Sequence, residues 1–216
     1  YIDHTNLKPF ATDDDIKKLC QEAMRFDFMS VCVNPCNVRA AKSLLKGSDV
    51  KVCTVIGFPL GANETRVKVF EAECACEAGC DELDMVINVG ALKSGREDYV
   101  FNDVAAVVAA ARGRTIKAII ETGLLTDEEK ATAVRRCCRA GVQFVKTCSG
   151  VSAGVATVQD VRLMKANLSG DVKIKASAGI RSYTDAMALI EAGAERLGTS
   201  AGAAILAGAR EAGGMV

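Results

Sequence analysis

The chain has 216 residues, half of them hydrophobic, with 27 Lys and Arg balanced by 27 Asp and Glu. That is enough to build one large core or two small ones, and without a basic arm or long charge run it has no grip for nucleic acid or an anionic membrane surface. No apolar run approaches the roughly 18 residues of a membrane-spanning helix, and the opening Tyr1-Ile-Asp-His-Thr5 is not a secretory signal.

That opening also lacks an initiator methionine, so part of the natural N-terminus is expected to be missing. The ten cysteines are scattered through apolar patterns, as at Cys20, Cys32, Cys53 and Cys137, which fits a reduced, cytoplasmic protein using Cys as a small hydrophobe. Cys74, Cys76 and Cys80 cluster, but within a helical pattern and with no histidine nearby, so no metal is expected there.

Strand and helix patterns alternate along the chain. Residues 1–5 read as a short strand. Thr12-Asp-Asp-Asp15 then caps a helix with the apolar stripe Ile16, Leu19, Cys20, Ala23 and Met24. A strand over 28–33 leads into Asn34-Pro35, an N-cap with proline at the first helical position, and a helix to about 46. The strand over 51–56 ends in the loop Gly57-Phe-Pro-Leu-Gly61, and the next helix stops at Gly79. A strand over 82–88 precedes a loop and a long Ala/Val-rich helix to about 112. After the strand over 116–121, Thr126-Asp-Glu-Glu129 forms a capping box for a helix ending before Gly141. Phe144 and Val145 open another strand, followed by a helix around 158–166 and a strand through Lys175. Ser182 to Asp185 cap a helix with Ala186, Leu189 and Ile190 on one face; a strand over 196–199 and a helix from 201 onward close the chain.

About eight strand–helix units, each of roughly 20 to 35 residues and with no linker between them, predict a parallel sheet with crossover helices. Closed on itself, that is a single α/β domain over 1–216, a (β/α)8 barrel. An open doubly wound sheet is the rival, but no Gly-x-Gly-x-x-Gly follows the first strand.

Such a barrel carries its chemistry at the C-terminal ends of its strands. The polar residues at those positions are Asp84, Asn88, Glu121, Lys146, Lys175 and Ser200. Period-two alternation puts Glu82, Asp84, Val86 and Asn88 on one face of their strand, and Lys117, Ile119 and Glu121 on one face of theirs. Lys146 lies inside an apolar strand, just before the small-residue turn Thr147-Cys-Ser-Gly150, and Lys175 repeats the theme before Gly179. One such lysine reads most simply as a side chain that snorkels to water or pairs with an acid. Two of them at neighbouring strand tops point to an amine nucleophile and a neighbour that tunes it. Lys173, two residues lower, is expected to form an ion pair deep in the barrel with Glu82 or Glu121.

A lysine attacks a carbonyl only as the neutral amine, and with an ordinary pKa of about 10.4 roughly one in 2,500 is neutral at pH 7. A second ammonium about 4 Å away, at an effective dielectric near 20, supplies about 4 kcal/mol towards losing the proton. Lys175 beside Lys146 meets that need, and Asp84 is placed to move protons. Ser177-Ala-Gly-Ile-Arg181 and Gly198-Thr-Ser-Ala-Gly202 each end a strand and open a helix, where small residues and a helix N-terminus favour a phosphate. The simpler alternative is that Gly179 and Gly198 only make tight turns.

Seven stretches, in order along the whole chain, resemble the deoxyribose-phosphate aldolase family of class I aldolases. They are Asp3-His-Thr5 with Leu7-Lys-Pro9, Val31-Cys-Val-Asn-Pro35, Thr54-Val-Ile-Gly-Phe-Pro-Leu-Gly61, Glu82-Leu-Asp-Met-Val-Ile-Asn88, Phe144-Val-Lys-Thr147, Val172-Lys-Ile-Lys-Ala-Ser177 and Arg196-Leu-Gly-Thr-Ser200. The resemblance implies that Lys146 forms a Schiff base, Lys175 perturbs it and Asp84 relays protons. It also implies that Thr147, Gly150, Gly179, Arg181, Gly198 and Ser200 contact substrate or phosphate, with Asp3, Thr5 and Cys32 in support. The implied reaction is the reversible cleavage of 2-deoxy-D-ribose 5-phosphate to acetaldehyde and D-glyceraldehyde 3-phosphate, a catabolic step. It needs no metal and no organic cofactor, and the enzyme is expected to be a cytoplasmic homo-oligomer, dimer or tetramer.

Three positions depart from the family pattern. Cys148-Ser149 replaces Ser-Thr, Ala178-Gly179 replaces a Gly pair, and Ala201 stands where a second Ser often follows Ser200. A hydrogen bond to a charged group is worth about 1.5 to 3 kcal/mol, so one lost at Ala201 is expected to weaken phosphate binding by roughly tenfold or more. The rivals are another Schiff-base barrel such as a transaldolase-like enzyme, and a non-catalytic sugar-phosphate-binding barrel. A metal-dependent aldolase built on several histidines is set aside because His4 is the chain's one histidine.

Overall fold

In the computed structural model, which describes residues 1–152, 154–211 and 213, the alternating pattern resolves into eight parallel strands. They are β1 (Ile2–Asn6), β2 (Ser30–Val33), β3 (Lys51–Ile56), β4 (Glu82–Val86), β5 (Thr115–Ile119), β6 (Phe144–Lys146), β7 (Lys173–Ser177) and β8 (Arg196–Thr199). Each pairs with the next, and β8 pairs back onto β1, so the sheet is a closed barrel and the open-sheet rival is excluded.

The helices run α1 (Asp13–Arg25), α2 (Val38–Leu44), α3 (Thr65–Ala78), α4 (Val89–Lys93), α5 (Glu97–Ala110), α6 (Asp127–Arg139), α7 (Val158–Asn167), α8 (Tyr183–Ala192) and α9 (Gly202–Glu211). Reciprocal capping boxes open α1 at Thr12 and Asp15, α6 at Thr126 and Glu129, and α8 at Ser182 and Asp185. Gly79 ends α3 in the left-handed conformation at φ 97°.

Alternation sorts the strand residues into two layers. Leu83, Met85, Ile116, Ala118, Val145, Ile174 and Leu197 face the helices and join Ile16, Val104, Val134 and Met164 in the main core. Their neighbours Glu82, Asp84, Lys117, Lys146, Lys175 and Arg196 fill the barrel, all buried.

Several boundaries differ from the sequence expectation. β2 begins at Ser30, because Phe28 turns back to donate its N–H to the Ala23 carbonyl and packs its ring 5.1 Å from that of His4. Pro35 opens a single 3₁₀ turn before α2, and the Asn34 side chain makes no cap bond. β4 ends at Val86, and Asn88 accepts the Ala91 N–H at 2.9 Å to cap the five-residue α4, which the sequence pattern did not single out. Lys173 is not in the barrel's depths. It stands at the exposed start of β7, 3.5 Å from Glu195, while Lys117 and Arg196 pair with Glu82, and Glu121 accepts the Ser149 N–H.

Candidate active site

The inward residues form one ion-paired network. Asp84 Oδ2 accepts from Lys146 Nζ and Lys175 Nζ, each at 2.8 Å. Asp84 Oδ1 accepts from Lys117 Nζ at 2.8 Å and Cys53 Sγ at 3.1 Å. Lys175 also reaches Asp3 at 2.5 Å, and Lys117 reaches Glu82 at 2.6 Å. Arg196 bridges Asp3 and Glu82 at 2.7 and 3.1 Å, with its guanidinium 5.1 Å from the centre of the Phe144 ring. The network thus sets four cations, Lys117, Lys146, Lys175 and Arg196, against three carboxylates, Asp3, Glu82 and Asp84.

Burial alone would raise the Asp84 carboxyl, but Lys117, Lys146 and Lys175 outweigh it and hold the group well below the usual carboxylate range. Asp3 follows the same logic, with Lys175 and Lys117 overcoming burial. Burial likewise works against the Lys117 and Lys175 ammoniums, yet the carboxylates facing them hold both above the ordinary lysine value. Seven ionic groups inside a barrel are a poor way to gain stability, since apolar packing of the same volume does as well or better. Such a cluster is where chemistry is to be sought.

At the C-terminal end of the barrel the network opens to solvent through one residue. A cavity of about 420 Å³ at the C-terminal end of the barrel is lined by Lys146 and by no other member of the network. Thr5, Gly150, Gly179, Arg181, Gly198 and Ser200 share its wall. So does Lys8, which sequence reasoning left without a role although it lies in the Leu7-Lys-Pro9 stretch.

The other expected site residues stand behind that wall. Asp84, Lys175, Asp3 and Cys32 are fully buried. Thr147 is also sealed in: its hydroxyl donates to the Ser177 carbonyl at 3.1 Å and accepts the Ser177 N–H at 3.0 Å. It bolts β6 to β7 and does not line the cavity, so it is a support and not the substrate contact expected of it. Glu121, at φ 58°, turns its carboxylate to the Ser149 N–H at 3.1 Å and holds the loop after Lys146.

The loops carry a second set of differences. Gly198 lies in β8, where an added Cβ would come within 3.0 Å of Lys175 Cε, so its absence of a side chain makes room for the lysine. Ala178 adopts φ 79°, a region where an L-residue is strained by about 1 to 2 kcal/mol. The two N–H groups just ahead of α8 are already taken, because Asp185 accepts from Arg181 N and Ser182 N at 3.1 and 3.0 Å. Ala201 lies on a neighbouring depression with His4, Lys18 and Glu22, not on the cavity, and its N–H donates to Thr199 Oγ1 at 2.9 Å. Cys148 is buried against Thr122 Oγ1 at 3.4 Å, whereas Ser149 reaches the cavity.

A sequence model of DeoC/LacD family aldolases matches residues 1–208. The deoxyribose-phosphate aldolase of Thermococcus gammatolerans is 56% identical over 216 residues, covering 98% of this chain and 96% of that one. Among solved structures, the aldolase QR15 is 42% identical with a TM-score of 0.91, over 95% of this chain and 92% of that one. The tetrameric deoxyribose phosphate aldolase of Aeropyrum pernix is 34% identical with a TM-score of 0.88, over 97% and 89%.

Proposed function

The chain belongs to the DeoC/LacD family of aldolases, and we propose that it is a carbon–carbon lyase cleaving 2-deoxy-D-ribose 5-phosphate, a catabolic step, through a Schiff base on Lys146. One observation carries the assignment of the nucleophile: of the seven ionic groups in the barrel, Lys146 alone meets the cavity.

The charge balance supplies the free amine. With its lysines and arginine protonated and its carboxyls ionised, the network carries four positive charges against three negative. Loss of one proton leaves it neutral, and the amine that can then meet a substrate is Lys146. Asp84 Oδ2 touches both Lys146 and Lys175 at 2.8 Å, so the missing proton can pass between them through one oxygen. A carboxyl held this far down rests as a carboxylate and conducts protons without storing them.

The amine of Lys146 adds to the aldehyde carbon of the open-chain sugar, and loss of water gives the iminium. Removal of the proton on the carbon-three hydroxyl breaks the bond between carbons two and three. The electron pair enters the iminium as an enamine, and glyceraldehyde 3-phosphate leaves. Protonation of carbon two and hydrolysis then release acetaldehyde and restore the amine. Asp84 and Lys175 return protons along the same chain of hydrogen bonds, and the steps use only the chain's own residues.

The substrate's phosphate belongs at the cationic end of the cavity, with Arg181 and Lys8 on its wall and the small residues Gly150, Gly179, Gly198 and Ser200 letting backbone approach. The proposal includes a cytoplasmic location, which the ten free cysteines support. Among the described residues, no helix is long and apolar enough to cross a membrane. It also includes a homo-oligomer, dimer or tetramer, supported by exposed apolar residues on α3 such as Phe70 and Val67 and by the tetrameric Aeropyrum relative. Neither nucleic acid nor membrane is a partner in this scheme.

The test is chemical trapping. Acetaldehyde with borohydride should inactivate the protein and leave one ethyl group, on Lys146. A label found elsewhere by peptide mapping, or none at all, would sink the Schiff-base assignment.

A further inference from the structure

We propose that Cys32, Cys53 and Asp84 form a site for a soft divalent cation beneath Lys146, through which Cd²⁺ or Zn²⁺ switches the enzyme off. The three residues come from the adjacent strands β2, β3 and β4, with Cys32 and Cys53 opposite one another in register. Their ligand atoms lie within 4.8 Å of one another, and they are the one such group of three or more His, Cys, Asp or Glu among the described residues. Cys74, Cys76 and Cys80, the cluster visible in the sequence, do not converge in this way.

The donor set is specific in kind. Two sulfurs and a carboxylate suit a thiophilic ion and offer little to Mg²⁺ or Ca²⁺. The groups are also already oriented. Cys53 Sγ donates to Asp84 Oδ1 at 3.1 Å, and Lys117 Nζ donates to Cys53 Sγ at 3.3 Å while holding the same Asp84 oxygen at 2.8 Å. Lys117 is therefore in place as the outer partner that fixes a thiolate ligand and its neighbouring carboxylate together.

Both thiols stand apart from the main core. With Val55 they make a small separate cluster, covered by the partly buried Leu7 and Phe58. Leu7 also lines the cavity, so one of the two side chains that cover the thiols itself meets solvent. All three donors are sealed at rest, and binding should accordingly develop slowly.

Binding exchanges two thiol protons, released to solvent, for one divalent cation, and no bond changes oxidation state. Asp84 is the shared element. An ion that takes Oδ1 competes with Lys117 and turns the carboxylate away from Lys146 and Lys175. The inhibitory half of the proposal rests on the Lys146 assignment above, whereas the binding half does not.

Metal-free, thiol-free protein titrated with Cd²⁺ alone should take up one equivalent with the ultraviolet charge-transfer absorbance of a cadmium thiolate. Cys53→Ser and Cys32→Ser should each weaken that binding about 100-fold or more, at least the upper end of the effect of losing an outer partner, and Cys76→Ser should not. Aldolase activity should fall over minutes with Cd²⁺ and return with EDTA. Equal binding by the Cys53→Ser and wild-type proteins would overturn the site. Should the variants not fold, cadmium NMR of the wild type decides: a mixed sulfur–oxygen resonance is expected, and an all-oxygen one excludes the site. Tight binding with undiminished turnover, in protein still labelled at Lys146 by the trapping reaction, would overturn the switch, whereas loss of that labelling in metal-free protein indicts the Lys146 assignment instead.

Discussion

Outside the barrel, Lys68 on α3 donates to Asp103 on α5 at 2.6 Å and to the Val86 carbonyl at 3.0 Å, with neither charged side chain exposed. Inside it, Lys146 donates to Asp84 at 2.8 Å and is almost as deeply buried. By partner type and distance the two lysines are alike. They differ in balance and in access. Lys68 and Asp103 are a matched pair, with Thr65 as a further donor to the aspartate at 2.8 Å, and the pair pins α3 to α5. Lys146 belongs to a network with one cation in excess, and it alone of that network lines the cavity at the C-terminal end of the barrel. A buried lysine is thus no sign of chemistry by itself. The sign is a proton that the surrounding charges can spare, on an atom that a substrate can reach.

Removing the carboxylate that three lysines share should break the catalytic side most severely. Asp84→Asn leaves four cations facing two carboxylates. Turnover is expected to fall by about 10² to 10⁴, the range for a positioned proton-transfer group, with several kcal/mol of stability lost as well. Steady-state kinetics on protein shown folded by circular dichroism measures the first effect. Turnover within a few-fold of wild type would mean that Asp84 only holds the barrel together.

Lys68→Met is the matching change on the structural side. It strands Asp103 in the interior, and removing one partner of a buried pair costs about 3 to 5 kcal/mol. At roughly 2 to 4 °C per kcal/mol for a chain of this size, the melting temperature should drop by about 10 °C, while kcat/KM measured well below it stays at the wild-type value. A selective loss of kcat would show that Lys68 serves the chemistry and not the packing alone.

The two regions also differ in how far the sequence disclosed them. Lys146, Lys175 and Asp84 were legible because a charge inside an apolar strand violates the pattern around it, and alternation said which way it points. Lys117 was seen on the right face but not as the centre of the network, since only the register beside Asp84 and Glu82 brings it to both. Lys173 shows the converse: alternation gave its direction, but its position at the first residue of β7 leaves it at the barrel's open foot. Lys68 was invisible, because a lysine in a helix is ordinary until the neighbouring helix is known. The pairing of Cys32 with Cys53 depends on strand register in the same way, and no spacing in the sequence contains it.

Lys175→Leu probes the tuning itself. Lys175 lies within two hydrogen bonds of Lys146 through Asp84 Oδ2, so the ammonium and the carboxylate act on the reacting amine together. With one ammonium fewer beside it the amine keeps its proton more tightly. The rising limb of the pH–rate profile should therefore move to higher pH and turnover at neutral pH should fall. An unchanged profile would remove Lys175 from the tuning role. Stability supplies a second readout. Because burial lowers the Lys175 ammonium but Asp3 and Asp84 raise it further, its contribution is complete below the unfolded value of about 10.4 and is lost as pH rises through the higher folded value. The stability gap between wild type and variant should be constant at neutral pH and narrow in strong alkali.

The smallest effect is expected at Ala201, where the sequence pattern suggested a lost phosphate contact. The residue lies beside His4 and Glu22 in a separate depression, and its backbone N–H is already bonded to Thr199 Oγ1. A hydroxyl added there belongs to a residue outside the lining of the cavity. Ala201→Ser should leave the ratio of kcat/KM for deoxyribose 5-phosphate to that for deoxyribose unchanged. Arg181→Ala, on the cavity wall, should lower the same ratio by roughly tenfold or more, the worth of one charge-assisted hydrogen bond. The two variants measured side by side discriminate between the sequence pattern and the cavity as guides to the phosphate: a ratio that rises in the Ser variant and holds in the Arg181 variant would move the phosphate out of the β7–α8 loop and towards the start of α9.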